Sequence, residues 1–189
     1  MQSVEGRNAD TGNKRSGGRQ TNESISARGT VLSIHIATAA SAPTISIAEV
    51  QAIAGKGLEG DRYYLQTGTY SKTPGSGREV TLIEIEAMEA LRREYEIDIE
   101  AAQARRNIVT RGVALDHLVD REFVVGEVLL RGTRLCEPCS HLEKLTVKGM
   151  MRGLIHRGGL RADIVRGGTI RAGDVIGDIS AAFCARGGL

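Results

Sequence analysis

The sequence has no tryptophan, two phenylalanines and four tyrosines among its 189 residues. So few rings argue against a nucleic-acid site that stacks bases on exposed aromatics. They also leave the core to aliphatic side chains, and with 41% apolar residues those suffice. Three cysteines, Cys136, Cys139 and Cys184, are too few and of the wrong parity for a secreted disulfide framework. No apolar run approaches the roughly 20 residues that cross a bilayer as a helix. Residues 1–26 offer only Met1, Val4, Ala9 and Ile25 as apolar side chains, without the continuous apolar stretch of a secretory signal. The cytoplasm is therefore the expected compartment. No charge of one sign dominates either: 25 Lys and Arg face 23 Asp and Glu.

Glycine, by contrast, is abundant, with 24 residues against a usual share of about 7%. It follows no three-residue period, which excludes collagen. A length under 200 residues favours one domain. The polar stretch 1–27 cannot bury enough area to offset its ordering entropy and reads as a disordered tail. Residues 28–177 carry the patterned part, and 178–189 thin into a loose end.

Leu32, Ile34 and Ile36 alternate with Val31, Ser33 and His35, the pattern of a half-buried strand. Ile45 and Ile47 begin a second strand after Pro43, and 66–77 read as a surface loop. Glu79 to Ile83 is strand-like. A helix follows over Glu84 to Tyr95, with Met88, Leu91 and Tyr95 on its apolar side and Thr81-x-x-Glu84 as its capping box. Strands are expected again at Asn107 to Thr110, Phe123 to Leu130, Leu160 to Val165 and Ile170 to Ile176. Many short strands with glycine turns and one or two helices imply a mainly β, β-rich α+β fold: a barrel or sandwich with helical insertions. A small barrel fills its interior with Val, Ile and Leu.

Cys136-Glu137-Pro138-Cys139 holds the greatest chemical potential. A thioredoxin-like pair wants its first cysteine at a helix start inside a βαβ unit, and here the motif follows a strand. A zinc site could recruit His141 and His156, but a second C-x-x-C and an H-x₃₋₅-H spacing are both missing. Cys136 reads best as a small buried hydrophobe, whereas Cys139, in a polar turn, suits an exposed thiolate. From Arg134 to Arg171, eight basic residues face only three acidic ones, a setting for an anionic ligand. Arg157-Gly158-Gly159 and Arg166-Gly167-Gly168 bracket an apolar strand, so they read as turns, as opposed to an RNA-binding tract; Arg186-Gly187-Gly188 repeats the pattern.

Four stretches in order carry a resemblance. They are Gly57-Leu58-Glu59-Gly60-Asp61-Arg62-Tyr63; Arg105-Arg106-Asn107-Ile108-Val109; Phe123-Val124-Val125-Gly126-Glu127-Val128 leading to Cys136-Glu137-Pro138-Cys139; and His156-Arg157-Gly158-Gly159-Leu160 followed by Gly173-Asp174. Over about Arg28 to Gly177 the chain resembles a stand-alone MOSC domain, the C-terminal domain type of molybdenum cofactor sulfurases. The resemblance implies a β-barrel with a few short helices that binds the molybdenum cofactor, a pterin dithiolene bearing a phosphate. It implies that Cys139 ligates molybdenum or carries a persulfide sulfur. By the same resemblance Arg62, Arg106, Asn107, Arg157 and Gly158 contact the cofactor, guanidinium forks being suited to phosphate oxygens. An alternative is a molybdenum-dependent reductase of N-hydroxylated compounds. From a third class comes a zinc-stabilised or nucleic-acid-binding barrel. The sequence holds no pyridoxal-phosphate desulfurase domain and no ferredoxin-type cysteine cluster. Sulfur from a cysteine desulfurase, or electrons from a donor protein, is thus expected to come from a partner, with a molybdoenzyme as a possible acceptor. Pyridoxal phosphate would act only within that donor, and neither membrane nor nucleic acid is an expected partner.

Overall fold

Where one strand face is apolar and the other polar, burial of the apolar face selects the register, and a single inserted residue reverses it. The first strand does this in the computed structural model, which describes residues 29–73 and 75–179. Strand β1 (Gly29–Ile36) buries Val31, then Ile34 and Ile36, and leaves Leu32 38% exposed. Its pairing shifts between Val31 and Ser33. Strict alternation placed Leu32 with the core and Val31 outside. The irregularity at Leu32 corrects that reading: Val31 joins Ile34 and Ile36 in the core and Leu32 turns outward, while Ser33 and His35 keep the face opposite Ile34.

The remaining elements are β2 (Ile45–Ile47), β3 (Glu49–Ile53), β4 (Gly57–Leu58), β5 (Val80–Glu84), α1 (Ile85–Tyr95), β6 (Ile108–Arg111), β7 (Glu122–Val125), β8 (Val128–Leu135), α2 (Ser140–Leu145), α3 (Met150–Gly153), β9 (Leu160–Arg166), β10 (Gly168–Arg171) and β11 (Val175–Gly177). The strands β1, β6, β5, β9, β8, β7 and β11 follow one another by hydrogen bonding, and β11 returns to β1, closing a seven-stranded barrel. Strand β2 pairs with the far end of β1, while β10, β3 and β4 form a separate small sheet. Fold class is therefore mainly β, with three short α-helices among the described residues.

Aliphatic side chains fill the barrel, among them Ile34, Leu82, Ile108, Leu130 and Leu160, with Phe123 as the single large ring. A second apolar layer lies between the barrel wall and the helices. There Ala87, Met88 and Leu91 of α1 meet Ile83 and Val109 of the wall, with Met150 of α3. Of the barrel's neighbouring strands, β5 and β6 alone run parallel, and a parallel pair needs a long crossover. Helix α1 and a 3-10 turn at Ala101–Ala104 supply it and deliver Arg105-Arg106-Asn107 to the start of β6. That crossover sets the position of the site.

Four other expectations need correction. Thr81 lies inside β5 and donates to Asn107, so it does not cap α1; the helix begins after Glu84 with no side-chain cap. A capping box does occur, at Glu100 and Gln103. The single strand expected from Phe123 to Leu130 is a hairpin that turns at Gly126-Glu127, because Gly126 takes a left-handed conformation. The run Ile170 to Ile176 divides between two sheets. Tyr95 is exposed and faces the Arg157 guanidinium at 5.8 Å, outside the apolar layer. The sequence pattern also missed β3, α2 and α3. The expected tail 1–27, Pro74, Cys184, Arg186-Gly187-Gly188 and most of the stretch 178–189 lie outside the described residues. Among the described residues, no helix is long and apolar enough to cross a membrane.

Glu84, freed from any capping role, turns instead to the loop after β6, where its Oε1 accepts the Leu115 amide at 2.8 Å. Burial raises its pKa above the usual carboxylate value, opposed by that amide and assisted by the negative charges of Asp116 and Glu86. A carboxyl with a raised folded-state pKa binds protons more tightly in the native state. Its contribution to stability is therefore greatest below the unfolded value and is lost as pH rises through the folded value. Gln at this position keeps the acceptor and removes the charge. Glu84→Gln is expected to be at least as stable as the parent at pH 7 and to lose part of its advantage toward pH 4. Denaturant midpoints across that range check it, and a parallel pair of profiles refutes it.

Candidate functional site

Each of the four motif stretches contributes a loop at a strand end, and buried polar groups hold the loops together. Asp61 is 1% exposed, so its carboxylate must be satisfied within the protein. Its Oδ1 accepts the Ala37 amide at 3.1 Å, Arg62 Nη1 at 3.3 Å and Asn107 Nδ2 at 3.2 Å, and its Oδ2 accepts the Tyr63 amide at 3.1 Å. Asn107 is equally committed. Its Nδ2 also donates to the His35 carbonyl at 3.1 Å, and its Oδ1 accepts both the amide and the hydroxyl of Thr81, at 3.1 and 2.8 Å. The Asp-Arg turn, β1, β5 and the start of β6 are joined through these two side chains.

Arg106 joins the other two stretches. It is 7% exposed, and its guanidinium donates to three backbone carbonyls: Nε to Gly158 at 2.9 Å, Nη2 to Cys136 at 3.1 Å and Nη1 to Ala104 at 3.4 Å. The cysteine and glycine stretches also bind each other directly. The Cys136 amide donates to the Gly159 carbonyl at 2.7 Å, and Glu137 accepts both the His156 amide and its Nδ1. Glycine is required where they touch. A Cβ at Gly158 would lie 2.4 Å from the Cys136 carbonyl oxygen, and one at Gly159 would lie 1.9 Å from that of Leu82. Cys136 is buried in this joint. Cys139 is exposed at the residue before α2, its side chain making no capping bond.

Arg62 is half-buried, fixed by Asp61 on one side and by the Tyr63 ring at 5.2 Å on the other. Arg157 is directed elsewhere: its Nη2 donates to Glu94 of α1 at 2.6 Å and its Nε to the Gly153 carbonyl at 2.7 Å. The Glu94 carboxylate raises the Arg157 pKa. The structure thus gathers Arg62, Arg106, Asn107 and Gly158 into one hydrogen-bonded frame with the Cys136–Cys139 loop, and ties Arg157 to the neighbouring helix. Gly173-Asp174 belongs to a separate corner, where Asp174 accepts the Arg171 amide beside Gly126. Among the described residues, no three His, Cys, Asp or Glu side chains gather as a metal-holding group.

Two participants escaped the sequence reading. Arg105 sits in the left-handed region (φ 56°) at the end of the 3-10 turn, and its Nη2 donates to the Ala42 carbonyl at 3.0 Å. Its pKa is lowered, first by burial and then by the positive charges of Arg62 and Arg106. His35 is buried with Nε2 beside the Ser33 hydroxyl at 2.8 Å and Nδ1 without a hydrogen-bond partner among the described residues. Burial lowers its pKa, so the neutral imidazole is favoured. The doubled Arg105-Arg106 was visible in the sequence, but nothing there separated the buried arginine from its neighbour.

A closed barrel with one parallel crossover, and a joint of arginine, asparagine and glycine that holds a loop ending in an exposed cysteine, define a β-barrel domain of a particular kind. The family model for the MOSC domain matches residues 69–177, and the chain belongs to that family. Solved structures agree on the fold. The chain is similar to the YuaD protein from Bacillus subtilis, with a TM-score of 0.67 at 15% identity, covering 79% of this chain and 94% of that one. It is similar to YiiM from Geobacillus stearothermophilus (TM-score 0.61, 15% identity, 79% and 74% covered) and to YiiM from Escherichia coli (0.58, 19%, 79% and 68%). No curated protein matches it in sequence.

Proposed function

We propose that the protein binds the molybdenum cofactor, with Cys139 as the protein's ligand to molybdenum or as the carrier of a persulfide sulfur. The observation that carries this reading is the exposed Cys139 thiol on a loop fixed, through Arg106, to a frame rich in guanidinium groups. The residues suit the group. Thiolate is a soft ligand for such a metal. The cofactor brings its own dithiolene sulfurs, so one protein thiol is enough and a cluster of ligands is not needed. Arg62 supplies positive charge for the phosphate, and Gly158, buried against the Cys136 carbonyl, serves the cysteine loop's anchorage and not a contact with the cofactor. Asn107 and Arg106 keep these parts in register. Bound there, the cofactor would supply a metal able to change oxidation state and to hold sulfur. The chain itself presents Cys139 and holds the anionic end.

Molybdenum and oxidised-pterin fluorescence, measured on protein purified from a cofactor-producing host, test the proposal. The parent should carry both in near-stoichiometric amount. Cys139→Ala should lose at least nine-tenths of the molybdenum, while unfolding at the same temperature as the parent when both are made in a host lacking the cofactor. Stoichiometric zinc without pterin in the parent would overturn the reading. Given a loaded parent, turnover of a hydroxylamine-type substrate with added reductant separates a reductase from a sulfur carrier.

A further inference from the structure

We propose that the outer side of α2 and α3, beside Cys139, is a docking face for an acidic protein partner that carries apolar side chains of its own. Leu142, Met150 and Leu154 of this layer are buried and pack with α1 and the barrel wall. Val147, Met151 and Ile155 are instead 39%, 40% and 49% exposed, and Lys144, Lys148 and Arg152 are exposed among them. Protein interfaces combine these features: apolar side chains to bury, Met and Arg enriched, and charge that steers the encounter. Cys139 immediately precedes α2 and is exposed too, so the face begins at the thiol.

Positive charge is in excess on this face. From Cys139 to Arg157 the chain carries four basic residues and one acidic residue, Glu143. Arg157 pairs with Glu94, whereas Lys144, Lys148 and Arg152 have no ion pair among the described residues. Glu143 is turned to the backbone. Its Oε2 accepts the Gly149 and Met151 amides at 3.2 and 2.9 Å and fixes the turn between the two helices. On the neighbouring segment Glu94 is also held by Arg93, and Asp98 by Arg92, which leaves Glu96. These signs select the occupant. A second copy would set like charges opposite one another across a two-fold axis. Residues 1–27, with four basic and three acidic side chains, bring no complementary charge. Between residues 139 and 157 there is no aromatic ring and no exposed leucine to enter a lipid interface or to stack on a base.

That the partner exchanges a group with Cys139 rests on the function proposed above; the exposed apolar side chains and the excess charge do not. The test uses full-length Cys184→Ser protein made in a host lacking the cofactor. Its probe is a leucine-bearing peptide rich in glutamate that carries a pyridyl disulfide, beside a neutral counterpart with glutamine for glutamate. Attack of the Cys139 thiolate forms the mixed disulfide and releases thiopyridone, read by absorbance, and the rate left in Cys139→Ala is subtracted. At low salt the acidic peptide should react about 10-fold faster than the neutral one, and the ratio should approach one in about 0.5 M salt. Lys148→Glu with Arg152→Glu should bring the ratio below about 2, whereas the same charge change at exposed loop residues, Lys56→Glu with Lys72→Glu, should leave it near the parent's. Comparing two peptides on one variant cancels any change in the thiol itself. Met151→Gln with Ile155→Gln should slow both peptides about 3-fold relative to a small neutral disulfide. A ratio of one in the parent, or an equal fall in both charge variants, overturns the face. So does binding to phosphatidylserine vesicles or duplex DNA that is lost in Lys148→Glu with Arg152→Glu while the peptide ratio stays at one. A preference for the acidic peptide in a protein that takes up neither molybdenum nor pterin supports the face and refutes the cofactor reading. Uptake without a preference refutes the face alone.

Discussion

Asp61→Ala is expected to lower the unfolding free energy by about 3–5 kcal/mol, the range for breaking a buried charged network by removing one partner. The carboxylate satisfies four donors from separate segments: the amides of Ala37 and Tyr63, the Arg62 guanidinium and the Asn107 side-chain amide. Alanine takes an acceptor from all four, only Asn107 Nδ2 keeping another in the His35 carbonyl, and leaves Arg62 without its counter-charge while the Arg105 charge acts on it. The substitution therefore adds repulsion to desolvation. Asn at the same position separates the two contributions. Its carbonyl can still accept at Oδ1, but its amide group turns donors toward the Tyr63 amide, so a smaller loss of about 2 kcal/mol is expected. Urea unfolding at constant slope measures both. A loss under about 1 kcal/mol for the alanine variant would mean that Asp61 is not the joint between the Asp-Arg turn and β6.

Much of the barrel was legible because a short strand with one buried face writes its period into the sequence. Ile34 and Ile36, Glu79 to Ile83 and Leu160 to Val165 each marked their strand correctly. Where the sequence misled, the cause is local. One irregularity at Leu32 exchanges the sides of Val31 and Leu32, and periodicity cannot detect an inserted residue. Thr81-x-x-Glu84 has the spacing of a capping box, but Thr81 finds a stronger partner in the buried Asn107, a contact 26 residues away. Helices α2 and α3 are too short for a helical period to register. Of the site, the residue types were readable and their division of labour was not. Arg105 and Arg106 are chemically identical neighbours. Only the left-handed turn at Arg105 and the enclosure of Arg106 assign one to the surface of the site and the other to its frame.

That division leads to the second large effect. Arg106→Lys should cost about 2–3 kcal/mol, because a point-like ammonium cannot reach three carbonyls that a planar fork bonds at once. Those carbonyls belong to Ala104, Cys136 and Gly158, so the loss falls on the joint between the cysteine loop and the glycine turn. Cys139 remains chemically intact in this variant, yet its loop is no longer fixed. Two readouts distinguish this from general destabilisation. Alkylation of Cys139 by a small thiol reagent should change in rate at temperatures well below unfolding, and limited proteolysis should open first between residues 136 and 159. Arg105→Gln should alter neither, since its side chain bonds the Ala42 carbonyl and not the cysteine loop. Equal alkylation rates in the parent and Arg106→Lys would show that the Cys136–Cys139 loop holds its shape without the guanidinium. Glu137 and the Gly159 carbonyl would then have to be sufficient anchors, through their bonds to His156 and to the Cys136 amide.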